Sequence, residues 1–143
     1  MPISHRPKVE LTAGALHHVA VVVTNLPRAI AFYEHVLGLR VIKRWPSSDG
    51  KSERSVWFDL GNTSFLAVEH ADNAQATQAP ATKDAPGWHL VALTIRLEER
   101  EQWRAHLLAV GFPVTHETAY TLYCRDPENN RIGLSHYPDA AAQ

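Results

Sequence analysis

Two histidines stand where chemistry could begin. The stretch "LHHVAVVV" (residues 16–23) sets His17 and His18 at the mouth of a run too apolar to need them, and "WHLVALTI" (88–95) nearly repeats it with His89. A histidine at the start of each of two strands is either half of a shared metal site or a polar residue at a strand end; neutral imidazole suits both roles. Counting separates the two. His18 lies two positions before Ala20 and shares its strand face, whereas His89 lies three positions before Ala92 and falls on the other face. If Ala20 and Ala92 are equivalent, the residue matching His18 is Leu90 and His89 faces outward. A bulge of one residue would turn His89 back into the cleft. No glycine-rich phosphate loop, serine-nucleophile motif or zinc ribbon competes with these histidines.

The elements that must position them follow from periodicity. A first strand reads from Leu16 to Thr24, and "TNLPRAIAFYEHVLG" follows as a helix. Asn25 can cap it, Pro27 suits its first turn, Leu26, Ile30, Tyr33 and Leu37 share one face, and Gly38 ends it. "LRVIKRW", "RSVWFDL" and "SFLAVEH" read as strands, the last two joined by a hairpin at Gly61–Asn62. Residues 70–87, rich in alanine, glutamine, threonine and proline without periodicity, read as a linker or flap, with His70 in it. The order then restarts. A strand at 88–95 precedes a helix with Trp103, Leu107 and Val110 inward and the charges of "EEREQWR" on its solvated face, and three strands end the chain around the turn "DPENN". There Asn129 or Asn130 tolerates the left-handed conformation. The chain thus spells βαβββ twice, at 16–69 and 88–137, within a single domain of 143 residues. One helix per half predicts an α+β fold of two curved mixed sheets around a cleft.

Composition narrows the partners. A net charge of −1 offers no electrostatic footprint for nucleic acid, and no apolar run approaches membrane-span length. The single cysteine, Cys124, precludes an internal disulfide and fits a reducing, cytoplasmic setting; it reads as an inert buried thiol.

The residues "HHVAVVV-TNLPRAIAFYEHVLGLRV" and "YCRDPENNRIGL", including Phe32-Tyr33, Leu37-Gly38 and Asp126-Pro127, resemble the vicinal oxygen chelate superfamily over residues 16–137. That superfamily spans glyoxalase I, extradiol dioxygenases, fosfomycin-resistance transferases and bleomycin-binding proteins. The resemblance implies two tandem βαβββ modules around a cavity, a homodimer whose cavities involve both chains, and a divalent metal (Ni, Zn, Mn or Fe). Its ligands come from the first and fourth strands of each half. Carried onto this sequence, the ligand set is His18, Glu69 and His89, with Glu69 also a candidate catalytic base beside a substrate carbonyl. Ala67 shares the face of Glu69 and is the position that aligns with the ligand in some branches. Gly133 stands where the eighth strand of the metal-dependent branches carries a glutamate, and glycine can neither ligate nor act as a base. Trp57, Trp88, Ser135 and Tyr137 are candidate pocket residues, and His136 points away. Two functions follow as expectations. One is an enzyme of lyase, isomerase or oxygenase type acting on a small molecule through an incomplete metal site. The alternative is a metal-free protein that binds a drug or metabolite.

Overall fold

The computed structural model describes residues 11–72 and 86–142, so most of the expected linker lies outside the described residues. The elements run β1 (His18–Val23), α1 (Leu26–Ala31) continuing into a π-helical turn (Phe32–Val36), β2 (Val41–Pro46), β3 (Glu53–Gly61) and β4 (Ser64–His70). They continue with β5 (Val91–Thr94), a 3-10 turn (Leu97–Glu99), α2 (Arg100–Ala109), β6 (His116–Glu117), β7 (Thr121–Arg125) and β8 (Arg131–Ser135). The strands form two four-stranded sheets ordered β1-β4-β3-β2 and β5-β8-β7-β6. In each, the first strand runs parallel to the last and the other pairs are antiparallel. The duplication is therefore structural as well as sequential.

Local chemistry explains the first helix. The Asn25 side chain accepts a hydrogen bond from the Arg28 amide at 3.1 Å, capping a helix whose first turn holds Pro27. Gly38, at φ +73°, turns the chain out of it. Between them the backbone widens to π geometry, with the Leu37 amide bonded to the Phe32 carbonyl. The wider turn lets Phe32 and Tyr33 both point inward beside Leu26 and Ile30, where plain helical spacing brings only Tyr33. Val56, Phe58, Leu66 and Val68 receive them on one sheet, and Leu122, Cys124, Ile132 and Leu134 of the other sheet form the counterpart with Leu107 of α2. Burying each such side chain contributes roughly 1.5–3 kcal/mol.

The halves are clasped together at the helix side. The Glu128 carboxylate, from the β7–β8 turn, accepts from the amides of Thr24 and Asn25 and from Thr24 Oγ1 at 2.7–3.0 Å. The Tyr33 hydroxyl donates to Asp126 at 2.7 Å, and Asp126 also accepts from the amides of Glu128 and Asn130 and from the Asn130 side chain. Burial first, and the Asp126 charge second, push the Tyr33 phenol far above its ordinary pKa, so it stays a donor. Asn129 takes the left-handed conformation at φ +71° and closes this turn.

Several expectations shift. β5 begins at Val91, so Trp88 and His89 precede the strand, and Tyr137 lies beyond β8. β4 extends through His70, which is therefore not part of a linker. The β3–β4 turn centres on Asn62–Thr63, both at positive φ, one residue later than the sequence suggests. Val110 is exposed, because α2 stops at Ala109. Arg100 belongs to the charge run expected to be solvated, yet it is only 6% exposed. Its guanidinium meets His136 Nε2 and the Thr118 carbonyl, both at 2.8 Å, which satisfies the buried charge.

Candidate functional site

The helices cover one face of each sheet and leave the other open, and strand register assigns residues to that open face. In the first sheet, His18 pairs with Phe65, Ala20 with Ala67 and Val22 with Glu69 across β1–β4. Ala67 pairs in turn with Trp57, and Glu69 with Ser55, across β3–β4. Across β2–β3, Lys43 pairs with Trp57 and Trp45 with Ser55, after a register shift at Ile42. The shift is decisive: Val41 pairs with core Phe58, so strict alternation would turn Lys43 toward the core as well. The open face therefore carries one row of Ala20, Ala67, Trp57 and Lys43, and beside it a row of Val22, Glu69, Ser55 and Trp45.

Aromatic rings cross this face from edge to edge. The His18 ring stacks on Phe65 at 4.8 Å, Phe65 on Trp57 at 4.2 Å, and Trp57 meets Trp45 at 5.3 Å. Lys43 Nζ lies 4.7 Å from the Trp45 ring. Beside this ladder Ala20 is exposed, while Ala67 is covered at 2% exposure. Three polar groups lie in the neighbouring row. The Glu69 carboxylate, half-buried, has no hydrogen-bond or ion-pair partner among the described residues. Ser55 Oγ and Trp45 Nε1 are both buried without a hydrogen-bond partner among the described residues.

The second sheet repeats the arrangement with different chemistry. Ala92 pairs with Gly133, and Gly133 with Tyr123. A Cβ placed on Gly133 would meet Thr121 Cγ2 at 3.3 Å, Ala92 Cβ at 3.4 Å and Leu90 Cδ1 at 3.5 Å. Leu90, Ala92 and Gly133 thus share one face, and Leu90 occupies the place that His18 holds in the first half. Ser135 Oγ accepts from Thr121 Oγ1 at 3.0 Å, and Tyr123 stacks with His116.

The candidate residues are consequently spread out. His18 and Glu69 share the open face of the first sheet but stand four strand residues apart, about 13 Å along the sheet. His89 is not with them: it precedes β5, and its Nδ1 faces the Arg131 guanidinium at 3.4 Å. Trp57 lies in the aromatic ladder, while Trp88 is fully exposed before β5. Tyr137 is 73% exposed and packs edge-on against Tyr120 at 5.1 Å. His136 is buried and held by Arg100, away from the open face. Among the described residues no three of His, Cys, Asp and Glu gather closely enough to hold a metal ion. A separate recess of about 280 Å³ lies between Pro46, Ser52, Arg54, His70 and Asp72. It sits at the sheet's end and shares none of the ladder residues. Sequence reasoning missed Ser55 and Trp45 as the cross-strand neighbours of Glu69. Regular β3–β4 pairing sets Ser55 beside Glu69, and the register shift at Ile42 sets Trp45 beside Ser55.

Fold and open cleft together define the class. The chain belongs to the Glyoxalase/Bleomycin resistance protein/Dioxygenase superfamily, whose model matches residues 15–134. Solved structures agree. The lactoylglutathione lyase of Agrobacterium tumefaciens shares 20% identity at a TM-score of 0.62, with 87% of this chain and 95% of that one covered. The fosfomycin resistance protein FosX of Listeria monocytogenes, complexed with Mn(II) and sulfate, shares 18% at 0.66, covering 87% and 93%. An integron cassette protein from the mobile metagenome of the Halifax Harbour sewage outfall shares 18% at 0.64, covering 87% and 99%. At these identities the likeness establishes the fold. No curated protein matches the chain.

Proposed function

We propose that this chain binds a small organic molecule in its cleft without the four-ligand metal centre of the metal-dependent branches. The observation that carries the reading is the register. In the first and fourth strands of the two halves, the equivalent positions hold His18, Ala67, Leu90 and Gly133. Three of the four have no donor atom. A resident divalent ion needs three or four donors at about 2.0–2.3 Å, and this set supplies one imidazole. Assembly does not rescue it: whichever copy's second half faces the first, it brings Leu90 and Gly133. The protein is taken to act as a homodimer, because Val22 on the open face and Trp88 ahead of β5 are exposed and a second copy would cover them. No helix among the described residues is long and apolar enough to cross a membrane, and the lone cysteine suits a cytoplasmic setting.

A second reading rests on one observation. Glu69, half-buried and without a partner among the described residues, is a chemically available base, so an enzyme that moves a proton next to a bound carbonyl, metal-free, also fits the cleft. Elemental analysis of protein purified without chelators, beside a His18→Ala variant, tests the primary reading. Substoichiometric metal in both supports it. Stoichiometric metal that disappears with His18 would favour a metal-dependent enzyme instead.

A further inference from the structure

The recess at the end of the first sheet holds opposite charges that do not meet. It occupies about 280 Å³ where β2 ends, β3 begins and β4 ends, and Ser48, Arg54, His70 and Asp72 line it. Arg40, Arg44, Arg96, Arg100 and Arg104 all sit in ion pairs. The Arg54 guanidinium has no ion-pair or hydrogen-bond partner among the described residues, and neither has the Asp72 carboxylate. The two line one recess, yet they do not pair with each other. Strand register holds them in place: pairing of Ser55 with Glu69 sets Arg54 across from His70, and the Ala71 amide, bonded to the Val23 carbonyl at 2.8 Å, fixes the chain just before Asp72. Glu53, which also lines the recess, is already matched, with both carboxylate oxygens 2.8 Å from Arg44 Nη1. The rim is pinned as well. The Ser47 amide donates to the Ser52 carbonyl at 2.8 Å, and the Gly50 amide to the Ser47 carbonyl at 2.9 Å. Hydrogen bonds from the Ser47 hydroxyl first and the Lys51 amide second hold the Asp49 carboxyl below its ordinary range, so its charge is committed to the loop. A rim organised in this way loses little freedom when a ligand arrives.

We propose that this recess is a second binding site, apart from the cleft, for a small zwitterion of the α-amino-acid class. The ligand's carboxylate docks on the Arg54 guanidinium, whose fork can take both oxygens, with His70 beside it, and its ammonium docks on Asp72. A simple anion gains Arg54 but meets the Asp72 charge, and a simple cation meets the reverse. A neutral molecule gains neither, so only a molecule carrying both charges satisfies both groups. The volume lies just below the roughly 300–1,000 Å³ of pockets that take drug-sized ligands, which limits the occupant to few heavy atoms. The site goes beyond the binding reading of the cleft and does not depend on it.

The probe is L-alanine, compared with acetate and ethylammonium by titration into 15N-labelled full-length protein at constant ionic strength, following the Arg54 Nε–H resonance and the amides of Ser48 and Ala71. Both charged side chains are exposed, so each contact is worth only about a two- to fivefold change in affinity. The expected result is saturable L-alanine binding in the roughly millimolar range, with acetate and ethylammonium each weaker by about two- to fivefold. Asp72→Asn should weaken L-alanine by that same factor without weakening acetate. Arg54→Gln should weaken L-alanine and acetate but not ethylammonium. Both positions are exposed, so the variants should keep the amide spectrum of the unsubstituted fold. L-alanine binding no tighter than acetate, or an Arg54 resonance unmoved when L-alanine saturates, would overturn the proposal. Equal weakening of L-alanine and acetate by Asp72→Asn would do the same. None of these outcomes bears on the metal content of the cleft, so failure here and failure of the binding reading are told apart.

Discussion

Replacing Glu128 by alanine removes the clasp between the two halves, and the structure sizes the effect. Its carboxylate accepts from the Thr24 amide at 2.7 and 2.8 Å, from the Asn25 amide at 2.8 Å and from Thr24 Oγ1 at 3.0 Å. Hydrogen bonds to a charged acceptor contribute about 1.5–3 kcal/mol each. Thr24 and Asn25 are exposed, so water can replace part of what the carboxylate supplied and each bond contributes less than that range, about 1 kcal/mol. Two amides at about 1 kcal/mol each, plus a smaller share for the hydroxyl, give a loss of about 2–3 kcal/mol. A domain of this size holds on the order of 5–15 kcal/mol in total, so the loss is substantial. Urea denaturation followed by far-UV circular dichroism is the assay, and the midpoint should fall with little change in slope. Thermal midpoints should drop by roughly 6–12 °C. Glu128→Gln should fall between, since its carbonyl still accepts while its amide nitrogen confronts a backbone N–H. A loss below about 0.5 kcal/mol in Glu128→Ala would refute the reasoning, because that is the range of substitutions touching nothing important.

Two further outcomes follow from buried groups. Cys124 is 1% exposed, and burial first, then the nearby Asp126 charge, push its thiol from an ordinary value of 9 up to about 11. A disulfide reagent at pH 8 should leave the folded protein untouched and react only after denaturant is added. The raised pKa also makes stability complete below pH 9 and lost as pH rises toward 11, which an alkaline series of urea midpoints would read; flat midpoints would contradict it. His136 receives a hydrogen bond at Nε2 from Arg100, which can only donate, so the imidazole must carry its proton on Nδ1 and donate to the Asp139 carbonyl. Nitrogen NMR should find that tautomer, and Arg100→Met should release it. A proton on Nε2 in the unsubstituted protein would refute the assignment.

How far the sequence carried the account depended on distance along the chain. Period-two alternation placed His18 on the open face and Leu90 opposite it, because both depend only on neighbours two residues away. The helix cap at Asn25 and the left-handed Asn129 are equally local. What escaped was non-local or irregular. The π-turn at Phe32–Val36 and the register shift at Ile42 each change which side chains face inward, and neither has a residue signature. Arg100 reads as part of a solvated charge run until tertiary packing sets His136 and the Thr118 carbonyl against it. Glu69 stood out as a carboxylate ending an apolar strand, but its cross-strand neighbours Ser55 and Trp45 come from strands whose pairing only the folded sheet defines. Its separation from His18 is a matter of register too, since both lie on one face while four residues intervene.

The central claim is that the cleft functions without a resident divalent ion, and equilibrium dialysis against Mn(II) tests it most directly. Manganese is the choice because scattered surface histidines hold it weakly among first-row metals, so a stoichiometric signal would require an organised site. The account predicts bound metal far below one ion per chain, unchanged by His18→Ala or Glu69→Ala. One tightly held ion per chain, abolished by either substitution, would contradict it.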